Sequence, residues 1–328
     1  MYANRSAGRT AGRLGAAVAV GVTLLSAVGC STDAGTGARD ATAPDARASA
    51  AVPAKAAAKA STSPAPSMPE PAVLAKAHVH ITEGQTVGVG MPISVTFDKP
   101  VPESERKAVE SRLRVRTSSG TTGAWSWVKD QNLYDGQRVD FRPESTYWQP
   151  NTTITLHVGS HRVRHFDIGR SLVATVDAKR HRMTVDTGGR TQTIPVTTGG
   201  PKTPTWNGTM VVMDKAPVVH MDSRTVGLGT QYEGDYNWAV HVTASGTYVH
   251  ENSHADTAAG HENVTHGCVG LATDGTAKNF YKQVIVGDVI KVTGAKKAVV
   301  DPGNGFGDWN LTWAKWLENS RAGKTTTA

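Results

Sequence analysis

Cysteine is nearly absent. The 328-residue chain holds two, Cys30 and Cys268, which excludes a disulfide-dense scaffold and a multi-cysteine zinc or iron–sulfur site. Each of the two therefore needs its own reason. Aromatic residues make up 6% of the chain and hydrophobic residues 38%, less apolar material than a chain folded from end to end carries, so part of it is predicted to stay unstructured. The length suits two folded units plus tails. Long apolar runs are missing except near the N-terminus, where Arg5, Arg9 and Arg13 precede the stretch Leu14 to Val28, the charged-then-apolar order of an export signal. Those arginines supply three of the +7 formal charges, so the remainder is only mildly basic. No basic-aromatic array points to nucleic acid.

The apolar stretch ends Ala27-Val28-Gly29-Cys30 and resembles the lipobox at which bacterial lipoproteins are cleaved and acylated. The resemblance implies a leader over 1–29, lipidation of Cys30, and a protein anchored to the outer face of the cytoplasmic membrane. A plain secretory signal or an uncleaved anchor are the alternatives. Residues 30–75 are mostly Ala, Ser, Thr, Pro and Gly, a composition that buries too little apolar surface to fold and reads as a tether. As a coil it spans roughly 40 Å, a reach from membrane toward cell wall.

Residues 76–168 alternate in short runs such as Ile93-Ser94-Val95-Thr96-Phe97 and Thr153-Ile154-Thr155-Leu156-His157-Val158, which predicts a small immunoglobulin-like β-sandwich with one helix near Glu103–Arg112. No catalytic constellation falls in it. Trp125, Trp127 and Trp148 are assigned to core or interface rather than to a sugar-stacking face.

Residues 169–293 form a second, mostly β unit, with a hairpin at Thr187-Gly188-Gly189, a strand ending at His250, and a short helix from Thr276 that Asp274 can cap. Two chemistries compete in it. In one, Cys268 is a nucleophile, an activated thiolate beside His-Gly, and His250 is its base. In the other, His250-Glu251-Asn252-Ser253-His254 satisfies HExxH, where two histidines one helical turn apart hold zinc. That motif needs a helix, whereas the residues arriving at His250 alternate as a strand. His261 lies one residue beyond the spacing of a third ligand, with Thr257 where glycine belongs. No metal or other cofactor is expected, and His241 and His254 are assigned to surface or core.

His250 together with Thr265-His266-Gly267-Cys268 resembles the signature of the L,D-transpeptidases, the YkuD-type catalytic domain. The similarity extends through Met221-Asp222-Ser223, Tyr232, Trp238 and the terminal Asp308-Trp309-Asn310 with Trp313 and Trp316. It covers the preceding immunoglobulin-like unit as well. The resemblance implies a fold that is mostly β and a C-terminal subdomain, 294–328, whose tryptophans dock back on the catalytic fold. It implies an enzyme that joins peptidoglycan stem peptides by cysteine acyl transfer, with carbapenem-type β-lactams as covalent inhibitors. Cys268 would attack, His250 would serve as base oriented by the main-chain carbonyl of Glu251, and His266 would shape the cysteine turn. Backbone N–H groups around Gly267 and Cys268 would hold the oxyanion. Tyr232 matches a lid over the substrate, Met221 the inner wall behind it, and Ser245 and Gly246 a stem-peptide contact, with Thr265 and Gly267 completing the site. Gly270 stands where the family usually has Arg or Asn, which implies a changed acyl-donor contact. L,D-carboxypeptidase hydrolysis, or wall binding with weakened catalysis, are the rival outcomes.

Overall fold

In the computed structural model the described residues are 69–327. The leader, Cys30 and most of the tether lie outside them. Within this range no helix is long and apolar enough to cross a membrane. The tether stops earlier than residue 75: Ala72–Lys76 forms a short 3-10 helix whose Leu74 is buried in the first core. Arg162 Nη1 donates to the Leu74 carbonyl at 3.1 Å. One leucine with a cavity to fill and one guanidinium to hold its backbone are enough to order the turn.

Two sheets make the first unit. One has the order His78–Val79, Ile93–Thr96, Arg138–Pro143, Thr122–Trp127, Thr325–Thr326. The other runs Thr86–Val87, Arg162–Ile168, Thr152–Val158, Leu113–Thr117. Alternation along Thr152–Val158 buries every second residue, as a strand with one face on the core requires. The three tryptophans lie in that core, Trp125, Trp127 and Trp148 being 3%, 4% and 2% exposed. Their indole N–H groups are all used, for example Trp125 Nε1 on the Leu113 carbonyl at 2.7 Å. No sugar-stacking face remains among them.

The second unit also has two sheets. A five-stranded one is ordered Thr191–Pro195, Arg182–Asp186, Val173–Asp177, Val289–Thr293, Gly208–Val211. A four-stranded one is ordered Asp214–Asp222, Glu233–Thr243, Thr247–Glu251, Val269–Leu271. The helix Thr276–Gln283 buries Ala277 and Phe280 in the core between them. Its first turn is tied by Asp274 Oδ1, which accepts from Thr276 N at 3.0 Å.

The C-terminal tryptophans dock on the first unit, contrary to the expectation that they return to the catalytic fold. Trp316 is fully buried against Ala124 and Val128 and donates Nε1 to the Ala124 carbonyl at 3.0 Å. Thr325–Thr326 then adds an edge strand to Thr122–Trp127. The side chain that captures them is Arg142, whose guanidinium carbon lies 5.0, 5.4 and 4.8 Å from the ring centres of Trp309, Trp313 and Trp316. Stacked against several indoles, a weakly hydrated guanidinium is well placed for cation–π attraction. The same segment also touches the catalytic unit, for example through Asn310, which accepts from Thr209 N at 2.7 Å and donates to the Thr209 carbonyl at 2.9 Å.

Candidate active site

The strand Thr247–Glu251 pairs in parallel with Val269–Leu271 in the register Val249 to Val269, His250 to Gly270. Cys268, one residue upstream, falls beside Tyr248. Paired residues of adjacent strands share a face, and strands lie about 4.8 Å apart, so Tyr248, His250 and Cys268 project to the same side. Two sequence segments eighteen residues apart are thereby brought onto one surface. His250 is on a strand, so the helix that HExxH requires is not formed. His254 precedes the short helix Ala255–Ala258, exposed, and His261 is exposed too.

His250 is buried, 3% exposed. Its Nδ1 lies 2.5 Å from the Glu251 carbonyl oxygen, and because a carbonyl only accepts, Nδ1 carries the proton and Nε2 keeps its lone pair. The hydrogen bond favours the charged ring, but burial outweighs it and lowers the pKa to about 4. Burial pushes the Cys268 thiol the other way, up to about 11, against the Tyr248 backbone N–H, which favours the thiolate. Both shifts favour the uncharged forms, a thiol and an imidazole, over the activated thiolate expected from the flanking residues. Cys268 Sγ points to the Gly246 carbonyl at 3.9 Å, a weak S–H donation.

The cysteine turn is braced by Thr265 rather than by His266. Thr265 Oγ1 donates to the Cys268 carbonyl at 2.6 Å and accepts from Gly267 N at 3.3 Å. Gly267 has φ +124°, a backbone that side chains rarely adopt. Of the groups expected to hold an oxyanion, the Gly267 N–H is thus engaged at rest. The His266 ring is free of the turn and faces Tyr232, with centroids 5.3 Å apart.

Tyr232 and His266 stand between two cavities. One, of about 410 Å³, is lined by Cys268, Tyr232, His266, Ser245, Gly246 and Trp206, among others. The second, of about 390 Å³, is lined by Tyr232, Tyr236, Glu251, Asn252 and His266, among others. Tyr232 sits at the end of the loop after Asp214–Asp222, and burial pushes its hydroxyl up to about 12. Met221 is buried on that strand opposite Gly234 and lines neither of these two cavities. Ser245 and Gly246 do line the cysteine cavity. Their turn is held from the C-terminal segment by Asn304, which accepts from Ser245 N at 2.8 Å and donates to Ser245 Oγ at 2.9 Å.

Gly270 faces His250 across the strand pair. A Cβ there would lie 2.9 Å from Thr197 Cγ2 and 3.1 Å from Asn252 Cβ, so Thr197 takes the space a longer residue would need. Thr197 exchanges two backbone hydrogen bonds with Gly270 at 2.8 and 3.2 Å, and its hydroxyl donates to the Glu262 carbonyl at 2.8 Å. Sequence reasoning missed it, along with Tyr236, which meets the His250 ring edge-on at 5.0 Å. Ser223, part of the stretch Met221-Asp222-Ser223 quoted for the resemblance but given no role there, donates its hydroxyl to the Gly229 carbonyl at 2.7 Å and accepts from Tyr232 N at 3.1 Å. A tyrosine two strand positions before Trp238 on the strand next to His250 was a readable signal. Thr197 carries none.

An immunoglobulin-like sandwich followed by a β-rich unit with a cysteine and a histidine on one sheet face defines a recognisable class of two-unit protein. Residues 171–292 match the family model described as the L,D-transpeptidase catalytic domain, and residues 42–163 match a bacterial Ig domain. L,D-transpeptidase 1 of Mycobacterium tuberculosis is 36% identical over 216 residues, covering 64% of this chain and 82% of the relative. The chain belongs to the L,D-transpeptidase family. It is also 30% identical over 252 residues to L,D-transpeptidase 2 of the same species, covering 71% of this chain but 59% of that protein. Among solved structures, L,D-transpeptidase LdtMt1 in complex with imipenem matches with TM-score 0.59 at 35% identity, over 66% of this chain and 97% of that one. The Mycobacterium tuberculosis L,D-transpeptidase 3 complex with a faropenem-derived adduct matches with TM-score 0.57 at 31% identity, over 66% and 97% respectively.

Proposed function

We propose that this chain is a cysteine acyltransferase that makes 3→3 cross-links between peptidoglycan stem peptides. The observation that carries the reading is the Nδ1–H bond of His250 to the Glu251 carbonyl, which leaves Nε2 as an acceptor on the face it shares with Cys268. Because thiol and imidazole are both neutral at rest, attack needs proton transfer in the same step. Cys268 Sγ adds to the carbonyl between the third and fourth stem residues as Nε2 takes the thiol proton. Backbone N–H groups of the cysteine turn stabilise the oxyanion. Collapse breaks the amide, the leaving D-alanine takes the proton from His250, and a thioester remains. The side-chain amine of a second stem then attacks the thioester, its proton passes to Nε2, and the thiol is released. No external energy source is needed, since the thioester retains that of the broken amide. Interception by water gives the L,D-carboxypeptidase outcome.

The same neutral thiol opens carbapenem-type β-lactams to a covalent adduct, a reading supported by the imipenem and faropenem structures of the relatives. Lipidation at Cys30, a tether, and residence in the cell envelope on the outer face of the membrane complete it. Mass spectrometry of the protein with disaccharide-tetrapeptide, beside Cys268→Ala, tests the chemistry. A 3→3 dimer from the unaltered chain alone is expected. Dimer from both proteins would remove Cys268 as nucleophile, and neither dimer nor tripeptide from folded protein would leave only wall binding.

A further inference from the structure

The two cavities that meet at Tyr232 and His266 differ in charge. The cavity holding Cys268 is lined by Lys202 and Lys297 and by no carboxylate. The other is lined by Asp235 and Glu251 and by no lysine or arginine. Neither Lys202 nor Lys297 forms an ion pair with a carboxylate among the described residues.

Lys297 is exposed, but both its ends are held. Its Nζ lies 3.7 Å from the ring centre of Trp206, a residue of the same lining. Its backbone belongs to a loop pinned by one side chain: Asn207 Nδ2 donates to the carbonyls of Ala295 at 2.8 Å and Lys297 at 2.5 Å, and Asn207 Oδ1 accepts from Ala295 N at 3.1 Å. The Asn207 main chain adds bonds to Ala298 and Val300. Burial against its surroundings lowers the Lys297 pKa from the usual ammonium value, as partial loss of water around an unpaired cation requires. A cation immobilised before the ligand arrives loses less side-chain entropy on pairing.

We propose that Lys297 is a specificity-determining residue that binds a carboxylate of the acyl-donor stem peptide in the Cys268 cavity, with Trp206 as its platform. This rests on the acyl-transfer reading for the nature of the ligand. Stem peptides carry carboxylates at the fourth-residue terminus and along the acyl side, and the chemistry that recognises either is the same.

Binding to the full chain carrying Cys268→Ala, measured by calorimetry, tests the contact without turnover. The probes are disaccharide-tetrapeptide, its C-terminal amide, and versions amidated at the acyl-side carboxylates. Amidation of the contacted group is expected to weaken binding about three- to tenfold. With Lys297→Gln added, that penalty should vanish, and with Lys297→Arg it should persist. Which amide carries the penalty identifies the carboxylate. Equal penalties with and without Lys297, or no penalty from any amide, overturn the proposal. Should the wild-type chain form neither thioester nor dimer, the acyl-transfer reading falls, while the binding ratios still decide Lys297.

Discussion

Burial acts in opposite senses on His250 and Cys268, lowering the first to about 4 and raising the second to about 11. Between those values neither group changes charge, so the rate of carbapenem acylation should vary less than about threefold from pH 5.5 to pH 9. It should fall only as His250 protonates on the acid side. A tenfold rise per pH unit across neutrality, read by stopped-flow absorbance, would mean that a free thiolate is the attacking species. Gly270 gives a second prediction at this scale. Gly270→Ala forces its Cβ against Thr197 Cγ2 and should cost about 1–3 kcal/mol in denaturant unfolding. Thr197→Ser, which removes that methyl and keeps the hydroxyl bond to Glu262, should recover part of the loss. No recovery would place the strain elsewhere. Cys268 and His250, the proposed nucleophile and base, are readable in the sequence because both sit in short, rare motifs. Thr197 is invisible there, since its effect depends on a contact 73 residues away that no local pattern encodes.

Among elements, the loop between the strands Asp214–Asp222 and Glu233–Thr243 is held at its base by the buried Ser223. Ser223 is fully buried and, besides its hydroxyl bonds, donates its N–H to the Tyr232 carbonyl at 3.0 Å. Ser223→Ala should leave the fold intact, cost about 1–2 kcal/mol locally, and speed amide hydrogen exchange over 224–232. Unchanged exchange would show that the loop is held by other contacts. Strand and hairpin patterns were legible here, including Thr187-Gly188-Gly189, because alternation and glycine carry local information. The ordered turn Ala72–Lys76 was not, since one leucine within an alanine-rich segment gives no periodicity.

At the scale of the whole molecule, the junction between units is built around buried charge. Asp308 is fully buried with both carboxylate oxygens lacking a hydrogen-bond partner. It faces Arg138 at 3.9 Å, whose Nη2 also meets Asp140 and whose Nη1 meets Asp130, with Arg142 nearby. Loss of water around it and the Asp140 charge raise its pKa well above the usual value, against the two arginines. A carboxyl group raised on folding stabilises the fold fully below its unfolded pKa and loses that contribution as pH rises through the folded one. Stability of the wild type relative to Asp308→Asn should therefore decline as pH increases from about 4 toward 8, read as the difference in Tm. An increasing difference would mean that the arginines dominate. Trp316→Ala removes a fully buried indole and should cost about 3–5 kcal/mol, lowering the Tm of the first unit. The docking partner of Trp316 could not be read from sequence, because the resemblance placed the tryptophans with the catalytic unit and a two-residue strand carries no pattern of its own.

The pairing of Thr325–Thr326 with Thr122–Trp127, and of Trp316 with Ala124 across 192 residues, sets an order of assembly. Until those residues arrive, the first sheet has its hydrophobic middle in place while Thr122–Trp127 is paired on one side only, with Arg138–Pro143. That edge stays open through the synthesis of the entire second unit, a template for a strand from another chain. A chain halted before Trp316 would therefore be a sticky species even with the strands of the second unit complete, and residues 316–327 act as the seal.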